Sequence, residues 1–187
     1  MKSAGNYTKK LSQLFTATMQ KLPLVAIDTN FPLLLAQENA DAVDALEVLR
    51  ERLRPAQILL PPTVLDELLF QSENESDKSL RDLAKFALLN LRSRWHFQLA
   101  DLNSAQAKIA QEAARQILIK GILPREERND AFIISESAVL DSILLVSNDS
   151  HLLQADHRQL GLLFRELDLP VPLIVSPREI VQKFYRK

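Results

Sequence analysis

The chain contains no cysteine. Disulfides, thiolate nucleophiles and cysteine-based zinc sites are therefore excluded, which fits a reducing compartment. A basic excess is also missing: 23 Lys and Arg stand against 24 Asp and Glu, a formal net charge of -1. No global positive field announces a polyanion, so a nucleic-acid partner would need a local basic patch or metal ions held by the protein. No stretch approaches the ~20 apolar residues needed to span a bilayer. The start, MKSAGNYTKKLSQLF, lacks the apolar run of a secretory signal, so the expectation is a cytoplasmic protein without membrane contact. The three histidines follow no ligand or catalytic spacing, and there is no internal repeat and no low-complexity tract.

What is present suits one soluble domain. The 187 residues are 47% hydrophobic and 25% charged, enough to build a sizeable core. Residues 7–20 read as an amphipathic helix with Leu11, Leu14, Phe15 and Met19 on one face and Lys9 and Lys10 elsewhere. Residues 1–22 are set apart as an N-terminal extension, and 23–187 as the main domain. Short apolar runs at 24–28, 57–61, 96–100, 142–147 and 171–176 predict strands, the first without alternation, as in a sheet buried on both faces. Between them, periodicity predicts helices over 32–53 (broken near Asn39), from Pro62 to about Phe70, over 78–94, 104–120, 129–140 and 148–160, and from Pro177 onward. The polar stretch 71–79 is predicted to be an exposed loop. The alternation predicts a three-layer α/β/α fold on a mostly parallel, twisted sheet of four to five strands, with the N-terminal helix and the long 78–94 helix as additions.

In open parallel sheets, ligands bind beyond the carboxyl ends of the strands. Asp28 ends the first predicted strand, and Asp149 follows the fourth, in VSNDS. Glu67 lies early in the helix after the second strand, and Asp130 heads the helix before the fourth. Each acid alone has an ordinary reading as a strand end, a helix cap or a surface residue, with Asn129 or Asn148 as the cap proper. Asp66, three residues after Thr63, has the spacing of a capping box. Jointly, Asp28, Glu67, Asp130 and Asp149 predict one acidic pocket. Clustered carboxylates raise one another's pKa, and a divalent cation resolves the conflict. Oxygen ligands without Cys or suitably spaced His point to Mg²⁺ or Mn²⁺ rather than Zn²⁺.

Four segments in order, AIDTN, ILLPPTVLDEL, NDAFIISESAVL and LLVSNDSHL, with VPLIVSPREIV after them, resemble the PIN domain, a nuclease domain of bacterial and archaeal toxins and eukaryotic RNA-processing factors. The resemblance spans about residues 24–184, with extra length around 71–95. It implies a metal-dependent endoribonuclease that cuts single-stranded RNA to leave 5′-phosphate and 3′-hydroxyl ends. It assigns the acidic set to Asp28, Glu67, Asp130 and Asp149, with Asn30 and Ser147 in support. Asp28 and Asp149 are expected as direct ligands of one or two ions; Glu67 and Asp130 either ligate or orient the attacking water. The resemblance also suggests a toxin paired with an antitoxin. Phe31-Pro32 directly after the first motif departs from the family's smoothly starting helix, which puts that loop's detail in question.

Arg125 and Arg128, just before Asp130, are the candidates for holding RNA. Lys78, Arg81, Lys85 and Arg92 form a stripe on the long helix, opposite Leu80, Leu83, Ala87 and Leu91, which reads as a solvated face. His151 reads as a helix-surface residue, Trp95 and Phe97 as core, and Glu136 lies off the face of Asp130. Residues 1–22 could dock a partner or a second subunit, so the partners expected are RNA and an antitoxin or homo-oligomer. The competing reading is a catalytically inactive PIN-like scaffold that binds RNA or a partner protein. A phosphatase would carry Asp-x-Asp where this strand end reads Asp-Thr-Asn, and a receiver domain would need an early acidic pair and a late lysine.

Overall fold

A computed structural model describes residues 22–53 and 56–184. The proposed helix at 7–20 lies outside them. The strand β1, Leu24–Ile27, is central: Val25, Ala26 and Ile27 are fully buried. Successive strand residues face opposite sides of a sheet, so helices must cover both faces. Four more strands complete the sheet: β2 (Gln57–Leu60), β3 (Gln98–Leu99), β4 (Leu144–Val146) and β5 (Leu173–Val175). Their order is β3-β2-β1-β4-β5, and every pairing is parallel. Val25 pairs with Ile58 on one side and Leu144 on the other. The chain thus winds outward from β1 in two directions. The crevice between β1 and β4 is the switch point at which such sheets bind ligands.

Nine helices lie among the described residues: α1 (Asn30–Ala36), α2 (Ala40–Arg52), α3 (Pro62–Asn74), α4 (Lys78–Ser93), α5 (Ser104–Ile119), α6 (Arg128–Val139), α7 (Ser150–Gln154), α8 (His157–Glu166) and α9 (Pro177–Phe184). α2 packs on α9, α3 on α4, and α5 on α6 and α8, which gives the expected three-layer α/β/α arrangement. Phe31, Phe97, Leu60, Ile133, Ile134 and Leu145 are among the largest fully buried side chains. Trp95 and Phe97 are core residues as expected, with ring centroids 5.8 Å apart, and Phe31 stands 6.4 Å from Phe97. No helix among the described residues is long and apolar enough to cross a membrane.

Several boundaries differ from expectation for identifiable reasons. Residues 71–79 are not one loop: α3 continues to Asn74 with Ser72 buried, and α4 starts at Lys78 because the Asp77 carboxylate accepts from the Ser79 N–H at 2.7 Å. Residues 148–160 are two helices, since Asp156 caps α8 by accepting from Arg158 and Gln159. The buried face of α4 is Ala84, Ala87 and Leu91, while Leu80 is 47% exposed, so the inward stripe is shifted from the one expected. The break at Asn39 is as expected, with its side chain capping α2. Gly121 closes α5 at φ 66, a conformation glycine adopts without strain.

Candidate active site

Asp28 follows β1 directly, and its N–H bonds to the Val146 carbonyl of β4 at 2.9 Å. That bond carries the carboxylate to the carboxyl end of the sheet. The side chain is 3% exposed and fully engaged. Oδ1 accepts from the Thr29 N–H at 2.6 Å; Oδ2 accepts from Asn30 Nδ2 and Ser147 Oγ, both at 2.7 Å. Burial pushes the Asp28 carboxyl up to about 6; the Ser147 and Thr29 bonds hold it down, and the charges of Glu67 and Asp149 push it up further.

Ser147 joins two acids. Its hydroxyl donates to Asp28 and accepts from the Asp149 N–H at 2.9 Å. Asn30 ties the same two loops, because its Oδ1 accepts from the Asn148 N–H at 2.9 Å. Phe31-Pro32 does not displace it: both sit in the first turn of α1, where a proline's missing N–H is not needed. Asp149 itself, not Asn148, caps α7, with Oδ1 accepting from His151 and Leu152.

Glu67 reaches the site from α3. Its Oε2 accepts from Thr29 Oγ1 and its Oε1 from Asn129 Nδ2. Asn129 is therefore a bridge between α6 and α3, not a helix cap; Glu127 holds the cap position of α6. Asp130, in the first turn of α6, is half-buried and takes no hydrogen bond among the described residues. Burial pushes its carboxyl up to about 7, with further upward pressure from Asp28, Asp149, Glu127 and Glu67. Asp28, Glu67 and Asp149 thus act electrostatically on Asp130, and those three are linked to one another through Thr29 and Ser147.

The sequence pattern alone does not mark Thr29, Asn129 or Glu136 as part of the site. Glu136 is 5% exposed and accepts from the Thr63 N–H at 3.0 Å and from Thr63 Oγ1 at 2.8 Å. It supplies the partner that the first turn of α3 lacks, since Pro61 caps without a side chain. Asp66 is exposed and does not bond to Thr63, so the capping-box reading fails: the distant Glu136 takes that role. Burial raises the Glu136 carboxyl, and its bonds to Thr63 oppose the rise. Only the spacing of Thr-x-x-Asp was visible in the sequence; a partner 73 residues away leaves no local signal.

Arg125 and Arg128 are exposed and line a shallow groove of about 190 Å³ with Arg115, Leu118 and Ile119. Arg115 is an unforeseen third member, although Glu112 holds it at 2.6 Å. Arg81 is tied instead to the carbonyls of Glu75 and Ser76. His151 lies half-exposed on α7, with Nε2 3.5 Å from Glu127 Oε1.

Among the described residues, no three Asp, Glu or His side chains stand grouped as a ready-made cage for an ion. The donor set still suits a hydrated hard cation, which takes only one or two carboxylates and keeps several waters. Among the described residues, the carboxylate oxygens without a hydrogen bond include both of Asp130 and Oδ2 of Asp149.

The five-stranded parallel sheet with helices on both faces is a PIN-like α/β fold. In keeping with this, a chain in the crystal structure of VapBC2 from Rickettsia felis, bound to a DNA fragment from its promoter, superposes with a TM-score of 0.56 at 17% identity, over 82% of this chain and 98% of that one. At that identity the likeness concerns the fold. No protein-family model and no curated protein matches the chain.

Proposed function

We propose that the protein is a Mg²⁺- or Mn²⁺-dependent endoribonuclease acting on single-stranded RNA as the toxin of a toxin–antitoxin pair. The observation that carries this reading is the shared field of Asp28, Glu67, Asp130 and Asp149, in which two carboxyls are pushed up to about 6 and about 7. When bound, a divalent cation supplies Lewis-acid polarisation of the phosphodiester and acidifies the attacking water. Asp130 and Asp149 would offer it open oxygens, and Asp28, whose oxygens already accept three hydrogen bonds, would present a rigidly held carboxylate beside them. Glu67, held by Thr29 and Asn129, orients water. Without the cation, burial and the neighbouring acids favour protonated Asp130, and binding of the ion would displace that proton. Asn30 and Ser147 keep Asp28 and the Asp149 loop in register. Arg125 and Arg128 contact phosphates. The likeness to VapBC2 supports a partner of the antitoxin kind.

The test is cleavage of a mixed RNA pool in Mn²⁺ by parent and Asp28→Asn, followed by mapping of the product ends. The parent should leave 5′-phosphates and lose activity reversibly in EDTA, and the variant should be slower by about 100-fold or more. Equal rates for the two proteins would overturn the mechanism. A second reading, an inactive scaffold, draws on the full engagement of Glu67 by Thr29 and Asn129; it expects no metal-dependent cleavage and poor Mn²⁺ binding.

A further inference from the structure

A cleft of about 710 Å³ lies between α3 and α6, beside the acidic pocket. Two contacts set the helices antiparallel across it. Thr63, at the start of α3, bonds to Glu136 late in α6, and Glu67 bonds to Asn129 in the first turn of α6. Thr63, Glu67, Phe70 and Gln71 follow the i, i+3, i+4 spacing that lines one face of a helix. Phe70 is 66% exposed and Phe132 half-buried, and both line the cleft. A lone exposed ring is ordinary. This one forms a wall of a cavity within the size range of small-ligand pockets, about 300–1,000 Å³. The polar groups beside it are uncommitted. Among the described residues, the side chains of Asp66 and Gln71 make no hydrogen bond or ion pair, and Asn129, whose Nδ2 donates to Glu67, leaves its Oδ1 open.

We infer that this cleft receives the nucleobase beside the scissile phosphate, stacked on Phe70, and that it favours a base with an exocyclic amino group (adenine, cytosine or guanine) over uracil. The inference rests on the ribonuclease reading and names the substrate feature that the same site selects. Continuity places the base: Glu67 is a wall of the cleft and, through Thr29, a member of the acidic set. Charge keeps the phosphate out. Asp66, Glu67 and Glu75 line the cleft, and among the described residues no Lys or Arg does. A phosphate there would meet like charge, whereas a neutral base meets none and can stack on an aromatic face whatever its identity. The open acceptors then choose the base. Asp66 and Asn129 Oδ1 can accept from adenine N6, cytosine N4 or guanine N2, where uracil would present a carbonyl oxygen to them.

The test has a binding arm and a cleavage arm, both on the full chain. The one native tryptophan, Trp95, is 4% exposed, so Phe70→Trp places a reporter in the cleft over a constant background. Nucleoside 5′-monophosphates hold no phosphodiester to cut. In Mg²⁺, AMP, CMP and GMP should quench the added tryptophan with half-saturation at least about fivefold below that of UMP. In Mn²⁺, on a mixed RNA pool, Phe70→Ala and Phe70→Leu should each raise KM by at least about fivefold with kcat within about twofold of the parent. Both should flatten the base preference beside the cut, because leucine keeps apolar bulk without a stacking face. A parent that cuts no RNA, while the three amino-bearing nucleotides still quench in preference to UMP, would sink the nuclease reading and support the base site. A parent that cuts RNA, with both Phe70 variants unchanged in KM and base preference, would overturn the base site alone. Absent quenching, or quenching equal for UMP, would also overturn it.

Discussion

Replacing Asp130 by asparagine should make the metal-free protein more stable while removing its activity. The side chain takes no hydrogen bond among the described residues, so the isosteric change costs little but the charge. In the folded chain the Asp130 carboxyl is pushed from its ordinary 3.8 to about 7. A raised folded pKa means that the native state binds more protons than the unfolded chain between those values, so stability is lost as pH rises through that window. At about 1.4 kcal/mol per pKa unit the full loss is about 4 kcal/mol; because Asp130 is only half-buried, solvent screening leaves about 2 kcal/mol. Urea unfolding in EDTA should therefore show Asp130→Asn more stable than the parent by about 2 kcal/mol at pH 8, with a smaller gain at pH 5. Saturating Mg²⁺ should stabilise the parent more than the variant and narrow the gap. A variant no more stable than the parent at pH 8, or a gain equal at both pH values, would refute the shared-field reasoning.

Ser147→Ala removes a donor to a buried carboxylate and should cost about 1–3 kcal/mol in denaturant unfolding, more at pH 8 than at pH 5. The sign follows from its bond, which lowers the Asp28 carboxyl: without it the folded pKa climbs further, and the acidic limb of the pH–activity profile should move to higher pH. Glu136→Ala should lose about 1–2 kcal/mol by uncapping the first turn of α3, whereas Glu136→Gln, which can keep both contacts with Thr63, should stay close to the parent; equal losses for the two would contradict the capping role. Arg125→Glu with Arg128→Glu should weaken RNA binding and flatten its salt dependence by about one to two ion equivalents, read as the slope of log affinity against log salt. An unchanged slope would remove that groove from the RNA path.

The fold was legible where a residue's environment is encoded by its neighbours. LVAI and QILL are continuous apolar runs because strands covered on both faces need no polar side, and both lie in the centre of the sheet. Asp28 and Asp149, placed just past such runs, are carried to the carboxyl end of the sheet by topology, which is legible without knowing the strand order. Less was legible where local and distant partners compete. Asp66 has the spacing for a cap, but Glu136, buried beside Thr63, makes the bonds. Asn129 could have been a cap, yet it donates to a carboxylate 62 residues away. The split between α7 and α8 carried a usable signal in Asp156, a favoured capping residue inside an otherwise helical run. The link from Thr29 to Glu67 had none, since it depends on how α3 is set against α1.

The most direct measurement is calorimetric titration of Mn²⁺ into the parent, Asp28→Asn and Asp130→Asn at pH 6.5, repeated in two buffers of different ionisation enthalpy. If the acids form one cation-binding pocket, the parent should bind Mn²⁺ and release protons, because carboxyls poised at about 6 and about 7 are partly protonated there. Each substitution should weaken binding by about 10-fold or more and reduce the proton release. No heat from the parent, or binding and proton release unchanged in both variants, would contradict a shared metal-binding pocket.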